Sequence, residues 1–238
     1  MATCQIGISV FNQPLEWISK SVTSALSQEG NIDILCTVRI DGPDGCDAKT
    51  LNWLNDICKI DERLFVILGR DRIGPSASYK VIFKRLNTTY LCQLDADDWL
   101  AKNAIRKSVN VLKNNPKTPF VYTDYHEVNT QGQFVCTGRR CKHTFSMLAE
   151  LVNFSTFHLR VIQRWAYTRC GGYDSSLMYA GDYDLSLKLA ENGNPITISQ
   201  PLYFYRIHSS NSSIKNRKSL LDEVFTISKD SLSRRNLN

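Results

Sequence analysis

Four short apolar runs, CQIGISV, DILCTVRI, RLFVILG and TYLCQL, punctuate the N-terminal half of this 238-residue chain, and helical spacing fills the gaps between them. The first run (Cys4 to Val10) stops at Asn12 and Pro14. Leu15, Ile18, Val22, Ala25 and Leu26 then fall on one helical face, with Pro14 in the first turn and Gly30 just beyond the end. The turn cluster Asp41-Gly42-Pro43-Asp44-Gly45 closes the second run ahead of a helix from about Lys49 to Cys58. Gly74 and Pro75 break the chain before a third helix, which starts near Ser76 and carries Val81, Ile82 and Leu86. Strands joined by single helical crossovers predict an α/β fold whose parallel strands are covered on both faces. Ligands of such sheets collect beyond the carboxyl ends of the strands. Phe11, Asn12, Asp41, Gly42, Asp71, Arg72, Asp95 and Asp97 are expected on that rim, which gathers acids, a base and turn-forming residues into a polar site.

The second half is less regular. A helix is predicted from about Ala101 to Asn114, then a strand PFVYTDY and a hairpin or long turn at VNTQGQFV. The segment from Arg139 to Ala166 is mixed. A helix should run from Asp182 to Gly193, LYFYRIH alternates as a strand, and a polar helix from about Lys218 to Ser233 ends the chain. This length suits one sizeable α/β domain rather than two. We read it as about 1–98 for a ligand-binding half, about 99–215 for a second half, and about 216–238 for the terminal helix.

Composition narrows the function classes. A net charge of +6 is mild, and no basic stripe of the kind that binds nucleic acid is present. No stretch approaches the roughly 20 apolar residues of a membrane span, and the N-terminus lacks a signal-type core. The eight cysteines form no CxxC pair, so reduced thiols and a cytoplasmic location are expected. The sequons at Asn87, Asn153 and Asn211 then read as chance matches. Neither P-loop nor dinucleotide spacing occurs in RDRIGPSAS, and GxSxG and HExxH are absent.

The chemistry concentrates in three places. In LDADD, extended chain would turn Asp95 and Asp97 to the same side, and two convergent carboxylates call for a cation. A hard divalent ion that also holds a diphosphate would meet that need. The alternative is an acidic surface loop, with Asp98 capping the next helix. Asp182, at a helix start, is either a cap or a general base. In LYFYRIH, alternation puts Phe204, Arg206 and His208 on one face, a pairing suited to phosphate contact by the guanidinium and metal ligation by the imidazole.

From ISVFNQP to YRIH the chain resembles the family 2 glycosyltransferases of GT-A fold, and CQLDADDWL, YAGDYDLSLKLAENG and YRIHSSNSSIKNR look most like a transferase domain of bacterial chondroitin-type polymerases. The resemblance implies a Rossmann-like nucleotide-binding half, a mixed central sheet with helices on both faces, and an acceptor-side subregion. It places Ser9, Phe11 and Asn12 beside the nucleotide, Asp41 on the uracil, and Asp95 on the ribose side. Arg72 in the RDRIGPSAS loop and Arg206 join the nucleotide-sugar set. Asp97 and His208 become ligands of Mn²⁺ or Mg²⁺, and Asp182 becomes the catalytic base. Gly181 stands where the family's ED motif has Glu. The implied activity is metal-dependent, inverting transfer of a sugar from a UDP-sugar to a hydroxyl of a glycan or other acceptor. No nucleic acid is involved, and the resemblance allows peripheral membrane or synthase association. Two rivals are a nucleotide-sugar-binding module of a larger synthase without its own activity, and a nucleotidyltransferase. Trp165 is either a sugar platform or a core residue.

Overall fold

The computed structural model describes residues 3–211 and 215–236, so part of the YRIHSSNSSIKNR stretch lies outside the described residues. The four apolar runs form β1 (Thr3–Val10), β2 (Asp33–Ile40), β3 (Leu64–Leu68) and β4 (Tyr90–Asp95). The crossovers are α1 (Leu15–Leu26), α2 (Ala48–Ile60) and α3 (Pro75–Arg85). Local chemistry sets their ends. Asp47 caps α2 by accepting from the Thr50 N–H at 2.7 Å. Gly74, at φ +83°, makes the turn into α3 that a side chain would oppose, and Pro75 occupies its first position.

These strands are parallel in the order β3-β2-β1-β4. β1 lies at the centre, with Cys4, Ile6, Ile8 and Val10 fully buried. Ser9 is in register with Arg39 of β2 on one side and Asp95 of β4 on the other. That register brings the ends of three strands to one rim.

Beyond β4 the sheet turns mixed, as expected. It continues through β8 (Arg160–Gln163), β6 (Phe120–Val128), β9 (Ile196–Arg206) and β5 (Trp99–Leu100), with β7 (Phe134–Thr137) paired to β6. β8 is antiparallel to both β4 and β6, and β6 runs parallel to β9. The VNTQGQFV stretch is the β6–β7 hairpin, closed by the Asn129 N–H donating to Gln133 O at 3.0 Å.

Two expectations change. Trp99 and Leu100 pair with Phe204 and Tyr203, so α4 (Ala104–Asn114) begins later than the pattern of apolar residues implied. Asp98 therefore does not cap it; Asn103 precedes the helix instead. The mixed 139–166 segment resolves into a 3₁₀ turn (Arg139–Lys142), α5 (Met147–Asn153), β8 and the start of α6 (Arg164–Arg169). Its organiser is the buried Glu150 carboxylate. It accepts from the Ser155 hydroxyl at 2.7 Å, the Thr156 N–H at 3.0 Å and the Thr156 hydroxyl at 2.6 Å.

The last two helices, α7 (Gly181–Ala190) and α8 (Arg217–Arg234), pack together. Ile227 of α8 enters the small core formed by Ala180, Tyr183 and Leu187. Glu223 accepts from the backbone N–H groups of Met178, Tyr179 and Ala180 at 2.8–2.9 Å, which fixes the chain entering α7. Among the described residues, no helix is long and apolar enough to cross a membrane. All eight cysteines are free.

Candidate active site

The rim at the carboxyl ends of β1, β2 and β4 gathers most of the residues expected there. Arg72 lays its guanidinium over the Phe11 ring, 3.8 Å from the centroid. Asn12 adopts a left-handed conformation (φ 64°) and donates its backbone N–H to Gly45 O at 2.7 Å, so the β1 exit loop is clipped to the Asp41–Gly45 turn. Asp41 is buried, and its oxygens accept from Arg39 Nη1 at 2.5 Å and from the Ile73 and Gly74 N–H groups at 2.9 Å. Its carboxylate thus ties the β2 exit to the loop that bears Arg72.

LDADD reaches the cleft through a turn, not as extended chain. β4 ends at Asp95, and the Asp98 N–H donates back to Asp95 O at 3.1 Å. The three acids consequently face different partners. Asp95 Oδ1 accepts from the Tyr79 hydroxyl and from Gln93 Nε2, both at 2.9 Å. Asp97 Oδ2 lies 2.8 Å from His208 Nε2. Asp98 turns inward and accepts from the Tyr203 hydroxyl at 2.8 Å and the Arg206 N–H at 2.7 Å. Electrostatics follow from these surroundings. Desolvation, with repulsion from Asp97, raises the Asp95 pKa to about 6, although 32% of its side chain still meets solvent. Burial also raises that of Asp98 well above the usual carboxylate range, again with repulsion from its neighbouring acids.

Two arrangements of donor atoms suit a cation. Asp95, Asp98 and His158 offer ligand atoms within 4.8 Å of one another. In that set Asp98 already accepts two hydrogen bonds, and His158, stacked on Tyr203 with centroids 4.5 Å apart, has its pKa lowered by burial and by the charges of Arg160 and Arg140. The second set is Asp97 with His208. Their 2.8 Å separation matches the roughly 3 Å between two adjacent ligand atoms that each sit about 2.1 Å from one ion. His208 packs on Trp17 with centroids 4.7 Å apart, and its backbone N–H donates to Asn211 Oδ1 at 2.6 Å. Asn211 is therefore a buried structural residue of that turn.

Arg206 takes a different role from the one its alternation with His208 implied. It is buried between Trp17 and Trp99, at 4.9 and 5.0 Å. Its Nε donates to Asp97 O at 2.8 Å, and its Nη1 to Thr130 O at 2.7 Å and Asn129 O at 3.3 Å. The guanidinium braces the Asp97 peptide against the β6–β7 hairpin. Trp165 packs on the aromatic cluster around Tyr79 and Phe83, the core reading of that residue.

Asp182 sits in the first turn of α7, partly exposed. Its Oδ2 lies 3.3 Å from Nη2 of Arg160, a guanidinium fully enclosed at the start of β8. The same Nη2 lies 3.2 Å from Gln93 Oε1, and Gln93 holds Asp95. A chain of polar contacts thus runs Asp95–Gln93–Arg160–Asp182 across the centre of the sheet. Sequence reasoning missed Gln93, Arg160, Tyr79 and His158. Gln93 was detectable as a polar residue inside a buried strand, and Arg160 as a charge opening another. Gly181 also has a steric reason. A Cβ there would meet Ser76 Oγ at 2.0 Å and Ser76 Cβ at 2.9 Å, so α3 and α7 touch where the family's Glu would stand.

The profile of glycosyl transferase family 2 matches residues 5–168. This chain belongs to that family. It is 27% identical over 229 residues to a chondroitin synthase of Pasteurella multocida (strain Pm70), covering 93% of this chain and 22% of that protein. It is also 27% identical over 225 residues to a chondroitin synthase of Escherichia coli, covering 92% and 31%. The chain thus spans less than a third of these relatives. Among solved structures, Staphylococcus aureus TarS 1–349 in complex with UDP superposes with a TM-score of 0.72 at 15% identity, covering 98% of this chain and 65% of that 1–349 chain. Its complex with UDP-GlcNAc gives a TM-score of 0.72 at 14% identity. The fold is GT-A.

Proposed function

We propose that this family 2 glycosyltransferase moves a sugar from a UDP-sugar to a hydroxyl of a glycan or other acceptor, with inversion and with a divalent cation. The observation that carries the reading is the Asp95–Gln93–Arg160–Asp182 chain, which holds the acid expected at the donor and the acid expected at the acceptor in one rigid frame. Phe11, Asn12, Arg72 and Asp41 shape the nucleotide end, with Ser9 between the two strands that carry Asp41 and Asp95. Asp97 and His208 would hold Mn²⁺ or Mg²⁺, favoured over the inner trio because Asp98 is fully buried and both its oxygens are already tied into the fold by hydrogen bonds. Such an ion supplies charge neutralisation for the departing diphosphate.

Asp182 takes the proton from the acceptor hydroxyl. That oxygen bonds to the anomeric carbon as the carbon–oxygen bond to the diphosphate breaks, and the electron pair leaves on the diphosphate. Arg160 fixes the direction in which Asp182 points. Arg206 acts by holding the Asp97 peptide rather than by contacting phosphate.

The decisive experiment is a UDP-release assay over a panel of UDP-sugars and acceptors, with Mn²⁺ or chelator, on the parent chain and Asp182→Asn. Removing a general base costs about 10²–10⁴-fold, so the variant should bind UDP normally and turn over poorly. Full transfer by the variant would end the assignment. The 22% and 31% shares of the relatives favour one second reading, a donor-binding module within a larger synthase. Donor hydrolysis or transfer by the chain alone excludes it.

A further inference from the structure

Exposed apolar side chains concentrate on two neighbouring helices. α5 presents Leu148 and Val152, one turn apart and each 72% open to solvent. α8 presents Phe225, 73% open, with Leu221 and Leu232. The helices meet at Tyr183, whose hydroxyl lies 2.9 Å from both Leu151 O and Ser228 Oγ. Their inner faces are already committed, because Leu151 of α5 and Val224 and Ile227 of α8 fill the small core against α7. The outer faces are therefore surplus to the fold. A contiguous apolar face of this kind marks a place where another surface docks.

The arrangement of charge on α8 indicates which surface. Lys218, Leu221, Phe225, Lys229 and Leu232 follow one another by three or four residues, so they share one line of the helix. Asp222 stands beside that line. Among the described residues, neither Lys229 nor Asp222 makes an ion pair. When two such helices pack antiparallel about a two-fold axis level with Phe225, residues equally far before and after it come level. At 3.6 residues per turn, Lys229 lies about 40° and Asp222 about 60° to the same side of Phe225. The axis brings Lys229 of one copy within about 1.5 Å of the level of Asp222 of the other. Leu221 and Leu232 lie on the opposite side, at about 40° and 20°, and meet each other across the axis within about one turn. Phe225 meets its own copy at the centre. Opposite charges thus face one another, and apolar groups face apolar groups, each twice. Ser228, the α8 residue at Tyr183, lies on the apolar side, so Leu148 and Val152 of α5 widen it. A lipid surface would suit the apolar residues and the two lysines but offers nothing to Asp222.

We infer that this face seats a second copy of the chain, joined as a two-fold antiparallel pair through α8 with α5 at its flank. The pairing is independent of the reaction proposed above. An 18-residue helix is about 27 Å long. The face therefore sits at the small end of stable interfaces, and the pair should form in the micromolar range.

The test is sedimentation velocity on the whole chain from about 1 to 300 µM, a range that brackets such an affinity. The parent should pass from monomer to dimer and stop there. Phe225→Asp should weaken the dimer at least about 30-fold, because the axis puts that residue at the centre of the interface in both copies. At about 1 µM, where the parent is monomeric too, its circular dichroism and Tm should match the parent, since the position is exposed. Lys229→Glu and Asp222→Lys should each weaken the dimer about tenfold, and the two together should restore it to within about threefold. Should Phe225→Asp unfold, the charge exchanges decide alone. A chain still monomeric at the highest concentration overturns the inference. So does a dimer that Phe225→Asp leaves intact, or a paired exchange that fails to restore what the single changes remove. Vesicles of phosphatidylglycerol and phosphatidylcholine complete the set. A monomeric chain that sediments with them, and no longer does so as Phe225→Asp, would assign the face to lipid instead.

Discussion

Gly181→Ala is the most informative single substitution, because its effect can be worked from one contact. The new methyl group would sit 2.0 Å from Ser76 Oγ and 2.9 Å from Ser76 Cβ. Rotation of the serine hydroxyl can relieve the first contact but not the second. Carbon atoms rest at about 3.5–4.0 Å, so α7 must separate from α3 by roughly 1 Å even after the hydroxyl turns away. Overpacking of this kind costs about 1–3 kcal/mol. For a chain of this size each kcal/mol moves Tm by about 2–4 °C, so the expected drop is about 2–12 °C. The same separation carries Asp182, the next residue, away from Arg160, and a misplacement near 1 Å can cost about 10²-fold in rate. UDP binding, which the proposal assigns to the opposite end of the cleft, should hold. Ser76→Gly removes both clashing atoms, so the double variant should recover most of the stability lost by Gly181→Ala, a coupling of about 1–3 kcal/mol. Thermal denaturation and a transfer assay on all four members of the cycle decide it. A Gly181→Ala variant as stable and active as the parent, or a Ser76→Gly change that fails to rescue it, refutes the steric account.

Other outcomes follow from individual contacts. If Asp97 and His208 hold the ion as proposed, Asp97→Ala and His208→Ala should each weaken Mn²⁺-dependent UDP binding by at least about tenfold; unchanged calorimetric titrations would count against that site. Glu150→Ala strands three buried donors and should destabilise the fold by about 2–5 kcal/mol; a denaturation midpoint within error of the parent would contradict it. Glu223→Ala frees the N–H groups ahead of α7 and should cost about 1–2 kcal/mol, the range of a lost helix cap. If Glu223 positions α7, transfer should fall while UDP affinity, followed by titration, does not change.

The N-terminal half was legible before folding. Its inner strands β1 and β4 are almost wholly buried, so they appear as continuous apolar runs, and proline opens α1 and α3. With the right-handed connection of parallel strands, that pattern alone places Phe11, Asp41, Arg72 and Asp95 on one rim. LDADD and DYDLSLKLAENG were likewise legible as acids at element ends, although what Asp182 faces was not. Tertiary structure decided the rest. The central antiparallel strand β8 is four residues long and opens with Arg160, too short to show periodicity and too charged to look buried. Only its insertion between β4 and β6 turns that charge into the partner of Asp182. Alternation along β9 could not reveal that Arg206 is held by Trp17, Trp99 and the hairpin carbonyls, because those residues come from distant segments. Spacing reports which side chains share a face of their own element. Which partners meet that face depends on how separate elements pack.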